Sequence, residues 1–150
     1  MDSEIILHIY FKMEQIPNWF YRVSAKALIL NEDKKFLLMR EEKWWELPWG
    51  WLEYWETPQE WIKRELYEEM WVNVIKIEDN PSYFITAKKD NWVWIANIIH
   101  ETEININEVS NYNSSDECLE TRFFNVNEAQ NETLFPNVRE FIKYFNPLNH

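Results

Sequence analysis

The residues of this chain best placed to do chemistry are Glu65, Glu68 and Glu69, within the stretch WIKRELYEEMWV at 61–72. On a helix turning about 100° per residue, with Ile62 at zero, Leu66 and Met70 fall at about 40° and 80°. Glu65, Glu68 and Glu69 fall at about 300°, 240° and 340° on the same wheel. Three carboxylates therefore share a sector about 100° wide beside an apolar stripe. Like charges at these spacings repel, so the arrangement costs stability unless a cation sits among them. An all-oxygen donor set suits hard cations such as Mg²⁺ or Mn²⁺. By itself the triplet reads first as a solvated acidic face, and only the wider spacing around it reverses that.

The element that must carry these acids has a strong start signal. Thr57-Pro58-Gln59-Glu60 is a capping box, with Thr57 as N-cap, Pro58 at the first helical position and Glu60 three residues on. The spacing predicts a helix over roughly 58–70, with Ile62, Leu66 and Met70 facing the core. Residues 4–12, 22–30, 36–40, 72–78, 82–88, 92–100 and 121–126 are apolar or alternating and read as strands. Turns are expected at 31–34 and 89–91, each closing a hairpin. In 72–78, alternation places Val72, Val74 and Lys76 on one side and Ile75 and Ile77 on the other. Pro136 opens a last helix whose apolar face is Val138, Phe141, Ile142 and Phe145. Strands, one internal helix, more strands and a terminal helix predict an α/β or α+β sandwich, with a mixed sheet between helices.

Composition narrows the partners. The chain has 150 residues, one domain's worth, with 15 Lys and Arg against 26 Asp and Glu and a net charge of −11. Such a surface repels nucleic-acid polymers and anionic membranes, and an anionic small substrate needs a local cation. The single Cys118 excludes an intramolecular disulfide and a cysteine-rich zinc site. The opening MDSEIILHIYF has no basic n-region, and no apolar run reaches membrane-spanning length, so a cytoplasmic location is expected. His8, His100 and His150 show no ligand spacing, and the two sequons at 113–115 and 131–133 carry no meaning in that compartment.

The wider spacing around the acids is long and fixed. Gly50, five residues, Glu56, seven residues, Arg64-Glu65-Leu66, one residue, Glu68-Glu69, one residue, Trp71-Val72 resembles the Nudix box, G-x5-E-x7-R-E-U-x-E-E-x-G-U with U aliphatic. Every position matches except the second glycine, where this chain has Trp71. Trp45-Glu46-Leu47-Pro48 resembles the family's lead-in, which normally continues into Pro-Gly-Gly. The resemblance implies an α/β/α sandwich with a mixed sheet, one internal catalytic helix and a C-terminal helix, as a single domain over 1–150. It implies that Glu65, Glu68 and Glu69 hold Mg²⁺ or Mn²⁺ with the backbone carbonyl of Trp49, that Arg64 and Glu56 brace the loop opened by Gly50, and that a loop acid, Glu117 or Glu120, assists. Glu65 or that loop acid would be the general base.

The activity so implied is metal-dependent hydrolysis of a nucleoside diphosphate linked to another group, with a nucleoside triphosphate, in the manner of MutT-like members, as the leading case. The implied partner is a small nucleotide, with no nucleic-acid polymer and no membrane, and a homodimer is compatible with it. Tyr83, Phe84 and Trp94 are aromatic residues that a nucleobase pocket could recruit, although such residues more often fill a core. Two other classes compete: a catalytically silent Nudix module that binds a nucleotide and regulates, and a structural acidic domain. Intact acids weigh against the first of these, and the box spacing against the second.

Tryptophan stands where the family commonly has glycine. The chain holds one glycine, against roughly ten expected at about 7% usage, and ten tryptophans. Trp49, Trp51, Trp55, Trp61 and Trp71 lie in the box region, and Trp19, Trp44 and Trp92 in turn-like contexts. Glycine at those eight positions would bring the counts to nine glycines and two tryptophans. A gene whose UGA codons mean glycine, read as if they meant tryptophan, is the first explanation of the pattern, deliberate engineering the second, and natural tryptophan at all ten sites the last. Physically, residue 71 follows the helix where a left-handed backbone favours glycine, and residue 61 falls in the carboxylate sector.

Overall fold

The computed structural model describes residues 21–89, 93–110 and 118–150. The strand expected at 4–12, together with His8, Trp19, Trp92 and Glu117, lies outside the described residues.

Among the described residues, eight strands form two sheets. The larger contains β1 (Tyr21–Leu28), β4 (Trp49–Trp51), β5 (Val74–Ile77), β6 (Tyr83–Lys88) and β7 (Trp94–Ile104). Its order is β4-β1-β7-β5, with β6 also paired to β7. β1 runs parallel to β7 from Tyr21↔Trp94 to Leu28↔Glu101, and antiparallel to β4 through Ala25↔Gly50. The smaller sheet has the order β3-β2-β8, from β2 (Phe36–Glu41), β3 (Trp44–Glu46) and β8 (Glu120–Phe124). The helices are α1 (Pro58–Met70), α2 (Ile106–Ser110), α3 (Val126–Ala129) and α4 (Pro136–Tyr144), followed by a 3₁₀ turn at Pro147–Asn149. Among the described residues no helix is long and apolar enough to cross a membrane.

Period-two side chains sort into two cores. Ala25, Ala27, Ile29 and Leu37 pack with Trp61, Ile62, Leu66 and Met70 of α1. Leu28, Phe36 and Leu38 pack with Val138 and Phe141 of α4. Chain neighbours such as Leu37 and Leu38 thus face opposite helices, which makes the fold an α/β/α sandwich of the expected class. The capping box closes as read, with Thr57 Oγ1 accepting from Glu60 N–H at 3.2 Å and Glu60 Oε2 accepting from Thr57 N–H at 2.9 Å.

Three expectations change in detail. The 31–34 turn returns the chain, but pairing ends at Leu30↔Phe36, and β1 and β2 then enter different sheets. In β5 a register shift between Val74 and Lys76 breaks the alternation, so Val74 and Ile77 both join the α1 core and Ile75 is exposed. The short strands β3 and β4 and the helices α2 and α3 escape the periodicity reading because each is five residues or fewer. β6 and β7 pair antiparallel as a hairpin there requires, with Lys88↔Trp94 as the last pair, and residues 90–92 of the expected turn lie outside the described residues.

Candidate active site

Helix α1 lies against β1 and β4 and turns its acids toward the loop around residues 48–53. Glu65 and Glu69 share a narrow crevice with Pro48 and Trp49. Glu65, Glu68 and Glu69 then line an open cavity of about 770 Å³ together with Glu41, Glu53, Trp49, Gly50 and Trp61. The structure therefore brings together the three helix acids, Trp49 and Gly50 of the sequence reading. Glu41 and Glu53 are acids that reading did not single out; neither lies in a spacing pattern, so only the fold reveals them.

Arg64 is the hub of the site. Its Nε and Nη2 donate to the two oxygens of Glu56, each at 2.9 Å, a bidentate pair across eight residues. Its Nη1 donates to Glu65 Oε1 at 3.1 Å and to Glu68 Oε2 at 3.3 Å. The Arg64 hydrogen bonds hold the Glu56 carboxyl below its ordinary range, and Glu56 in turn raises Arg64. This ties the loop before α1 to the helix, as the expected brace requires. With Glu65 and Glu68 turned partly toward Arg64, no three carboxylate, imidazole or thiol side chains among the described residues converge into a ready-made metal cage.

The loop acid differs. Glu120 sits on β8, where Arg40 Nε donates to its Oε2 at 3.1 Å and Arg122 Nη2 to its Oε1 at 3.2 Å. Two guanidiniums hold it at the β2–β8 pairing, and it does not line the acidic cavity.

The tryptophans sit as the chain geometry forces them. Trp71 caps α1 at φ 56° and ψ 32°, the left-handed conformation, with its N–H donating to Tyr67 O at 3.0 Å and the residue 79% exposed. Trp61 is buried against Gly50, and its Nε1 is a buried polar atom with no hydrogen-bond partner among the described residues. Trp49 and Trp51 stack edge to face on β4, 5.0 Å apart, with Arg22 over Trp51 at 3.7 Å.

A second cavity, of about 370 Å³, adjoins the acidic one and shares Arg22, Glu41, Trp49 and Trp51 with it. Its buried polar lining is Ser24, Lys26, Glu46, Asn97 and Asn137. None of these was given a role from the sequence, although Glu46 stands in the lead-in Trp45-Glu46-Leu47-Pro48 and Lys26 interrupts an apolar strand. Phe84 and Trp94 are exposed, and Tyr83 packs on Phe141, so these three do not line this cavity.

The sequence profile of the NUDIX domain matches residues 20–145. The fold is similar to that of the MutT protein from Methanosarcina mazei Go1, at 22% identity and TM-score 0.69, covering 89% of this chain and 98% of that one. It is similar to an ADP-ribose pyrophosphatase from Streptococcus suis, at 19% identity and TM-score 0.56, covering 83% and 88%. It is also similar to the NUDIX domain of Shewanella oneidensis NrtR, solved with ADP ribose, at 14% identity and TM-score 0.61, covering 95% and 96%. No curated protein sequence matches the chain.

Proposed function

The chain belongs to the Nudix hydrolase family, and we propose that it is a metal-dependent pyrophosphohydrolase cleaving a nucleoside diphosphate linked to another group, with a nucleoside triphosphate as the leading substrate. The observation that carries this reading is that Glu65, Glu68 and Glu69 line one cavity, beside a loop pinned by the Glu56–Arg64 pair.

An oxygen-only donor set of clustered carboxylates fits Mg²⁺ or Mn²⁺. Glu65, Glu68 and Glu69, with the Trp49 carbonyl, would hold it. Bound there, the cation would neutralise phosphoryl oxygens and would lower the pKa of water. The chain's own residues do the rest. Arg64 fixes the approach of loop to helix through Glu56 and, in the absence of a cation, holds one oxygen each of Glu65 and Glu68. Glu65 takes the proton of the attacking water on a carboxylate oxygen. Glu120, held by Arg40 and Arg122, stabilises the β2–β8 edge. A small nucleotide is the partner, and the cytoplasm the expected location.

The test is Mg²⁺-dependent release of phosphate or pyrophosphate across a nucleotide panel, with EDTA as control. Tight nucleotide binding without any turnover would instead favour a silent regulatory module.

A further inference from the structure

The floor of the second cavity carries charge that the hydrolysis site does not use. Lys26 and Glu46 are 2% and 5% exposed, and Lys26 Nζ lies 3.2 Å from Glu46 Oε1. Burying such a pair is costly, and burial pulls the Lys26 ammonium below its ordinary pKa against the opposing pull of Glu46. The hydrogen-bond inventory is uneven. Glu46 Oε1 accepts from Leu47 N–H at 2.8 Å and from Asn137 Nδ2 at 2.8 Å, as well as facing Lys26. Glu46 Oε2 accepts only from Asn137 Nδ2, at 2.8 Å, among the described residues. Lys26 has three N–H donors, and its partners among the described residues are Glu46 Oε1 and the Trp49 ring, 5.1 Å away. A donor on Lys26 and an acceptor on Glu46 Oε2 thus remain side by side at the floor of a cavity with Phe135 on its wall. At about 370 Å³ the cavity falls within the size of small-molecule sites, about 300–1,000 Å³.

We propose that Lys26 and Glu46 read the hydrogen-bonding edge of the substrate's base, Lys26 Nζ donating to a ring carbonyl oxygen and Glu46 Oε2 accepting from the adjacent ring N–H, so that the cavity selects keto bases (guanine, uracil) over amino bases (adenine, cytosine). Guanine and uracil present a carbonyl beside a ring N–H. Adenine and cytosine present an amino donor beside a bare ring nitrogen, which would set donor against donor and acceptor against acceptor. A buried site built for one such pattern rejects the reverse, because its own groups are left unpaired. Asn137 holds the Glu46 carboxylate in place, and is a positioning residue. The inference rests on the reading of the adjoining acidic cavity as a nucleotide hydrolase site.

Calorimetric titration of the full chain with GDP, UDP, ADP and CDP, each with Mg²⁺, tests it. GDP and UDP should bind about tenfold or more tightly than ADP and CDP. The double variant Lys26→Met with Glu46→Gln removes both charges together and should bring the four affinities together. Where that variant does not fold, Glu46→Gln alone, whose amide can turn either its oxygen or its nitrogen to the base, should lessen the preference. Equal affinities in the parent chain, a preference for ADP and CDP, or a preference unchanged in the variant read would each overturn the assignment. Turnover is scored separately: base preference without hydrolysis overturns the hydrolase reading alone, and hydrolysis without base preference overturns this inference alone.

Discussion

Trp61 and Gly50 exclude any larger neighbour from each other's space: a Cβ on residue 50 would overlap the Trp61 indole. Gly50 is glycine of necessity while Trp61 stands, and the indole in turn occupies volume between the α1 acids and the loop. Trp61 lines the same cavity as Glu65, Glu68 and Glu69. Trp61→Gly should therefore open the site and raise Mg²⁺-dependent turnover, most strongly when combined with glycine at 49, 51, 55 and 71. The single change should also lower thermal stability, by up to about 3–5 kcal/mol for a lost buried aromatic, softened by removal of the unsatisfied Nε1. Turnover no higher than that of the parent would show that the indole obstructs nothing.

Trp71→Gly should act in the opposite direction on stability. A non-glycine residue at φ 56° is strained, and with the residue 79% exposed there is little packing to lose. Relief should amount to about 1–3 kcal/mol, less the flexibility glycine adds to the unfolded chain. Urea denaturation should show a higher midpoint at unchanged slope. Trp71→Ala, which keeps the Cβ, is the control and should gain far less. Equal midpoints for Gly and Ala would remove backbone strain from the explanation.

Legibility followed length and periodicity. The α1 helix was readable because capping box, proline and the Ile62, Leu66, Met70 stripe agree on one element, and the structure runs it from Pro58 to Met70. The Glu56–Arg64 brace was readable only through the box spacing, since no local rule pairs residues eight apart in a loop and a helix. β3 and β4 were not readable: three residues leave no period to detect. The Lys26–Glu46–Asn137 network joins β1, β3 and α4 across 91 residues between its carboxylate and its amide, a juxtaposition only the fold creates. The Val74 bulge likewise depends on pairing with Ile104, not on the local sequence.

Acid should loosen the fold through Glu56. Its carboxyl is held below the ordinary 4.5 by the Arg64 hydrogen bonds. A depressed folded-state pKa means the pair stabilises the fold fully above the unfolded value, and that this contribution fades as pH falls through the folded one. Glu128, held low by Lys35, behaves the same way. Melting temperature should fall below about pH 4.5, and Glu56→Gln should be less stable at neutral pH with a shallower acid decline. A variant whose pH profile superimposes on the parent's would show that the brace contributes nothing to folding.

Glu68→Gln and Glu69→Gln bear on the proposed chemistry most directly. Each change is nearly isosteric, and both positions are on the helix surface rather than in its core. Each should lower metal-dependent turnover by orders of magnitude while leaving the fold intact. Without metal, stability should hold or rise slightly, because one of three clustered negative charges is gone, although Glu68→Gln also gives up its contact with Arg64 Nη1. With metal the order should reverse. A cation that binds only the folded chain adds about 2.7 kcal/mol at a hundred times its Kd, so Mg²⁺ should raise the parent's melting temperature and EDTA should abolish the rise. The variants should show a smaller rise at every Mg²⁺ concentration. If instead they gain as much from Mg²⁺ as the parent and turn over at its rate, these two glutamates do not hold the metal, and the cavity they line is not where hydrolysis occurs.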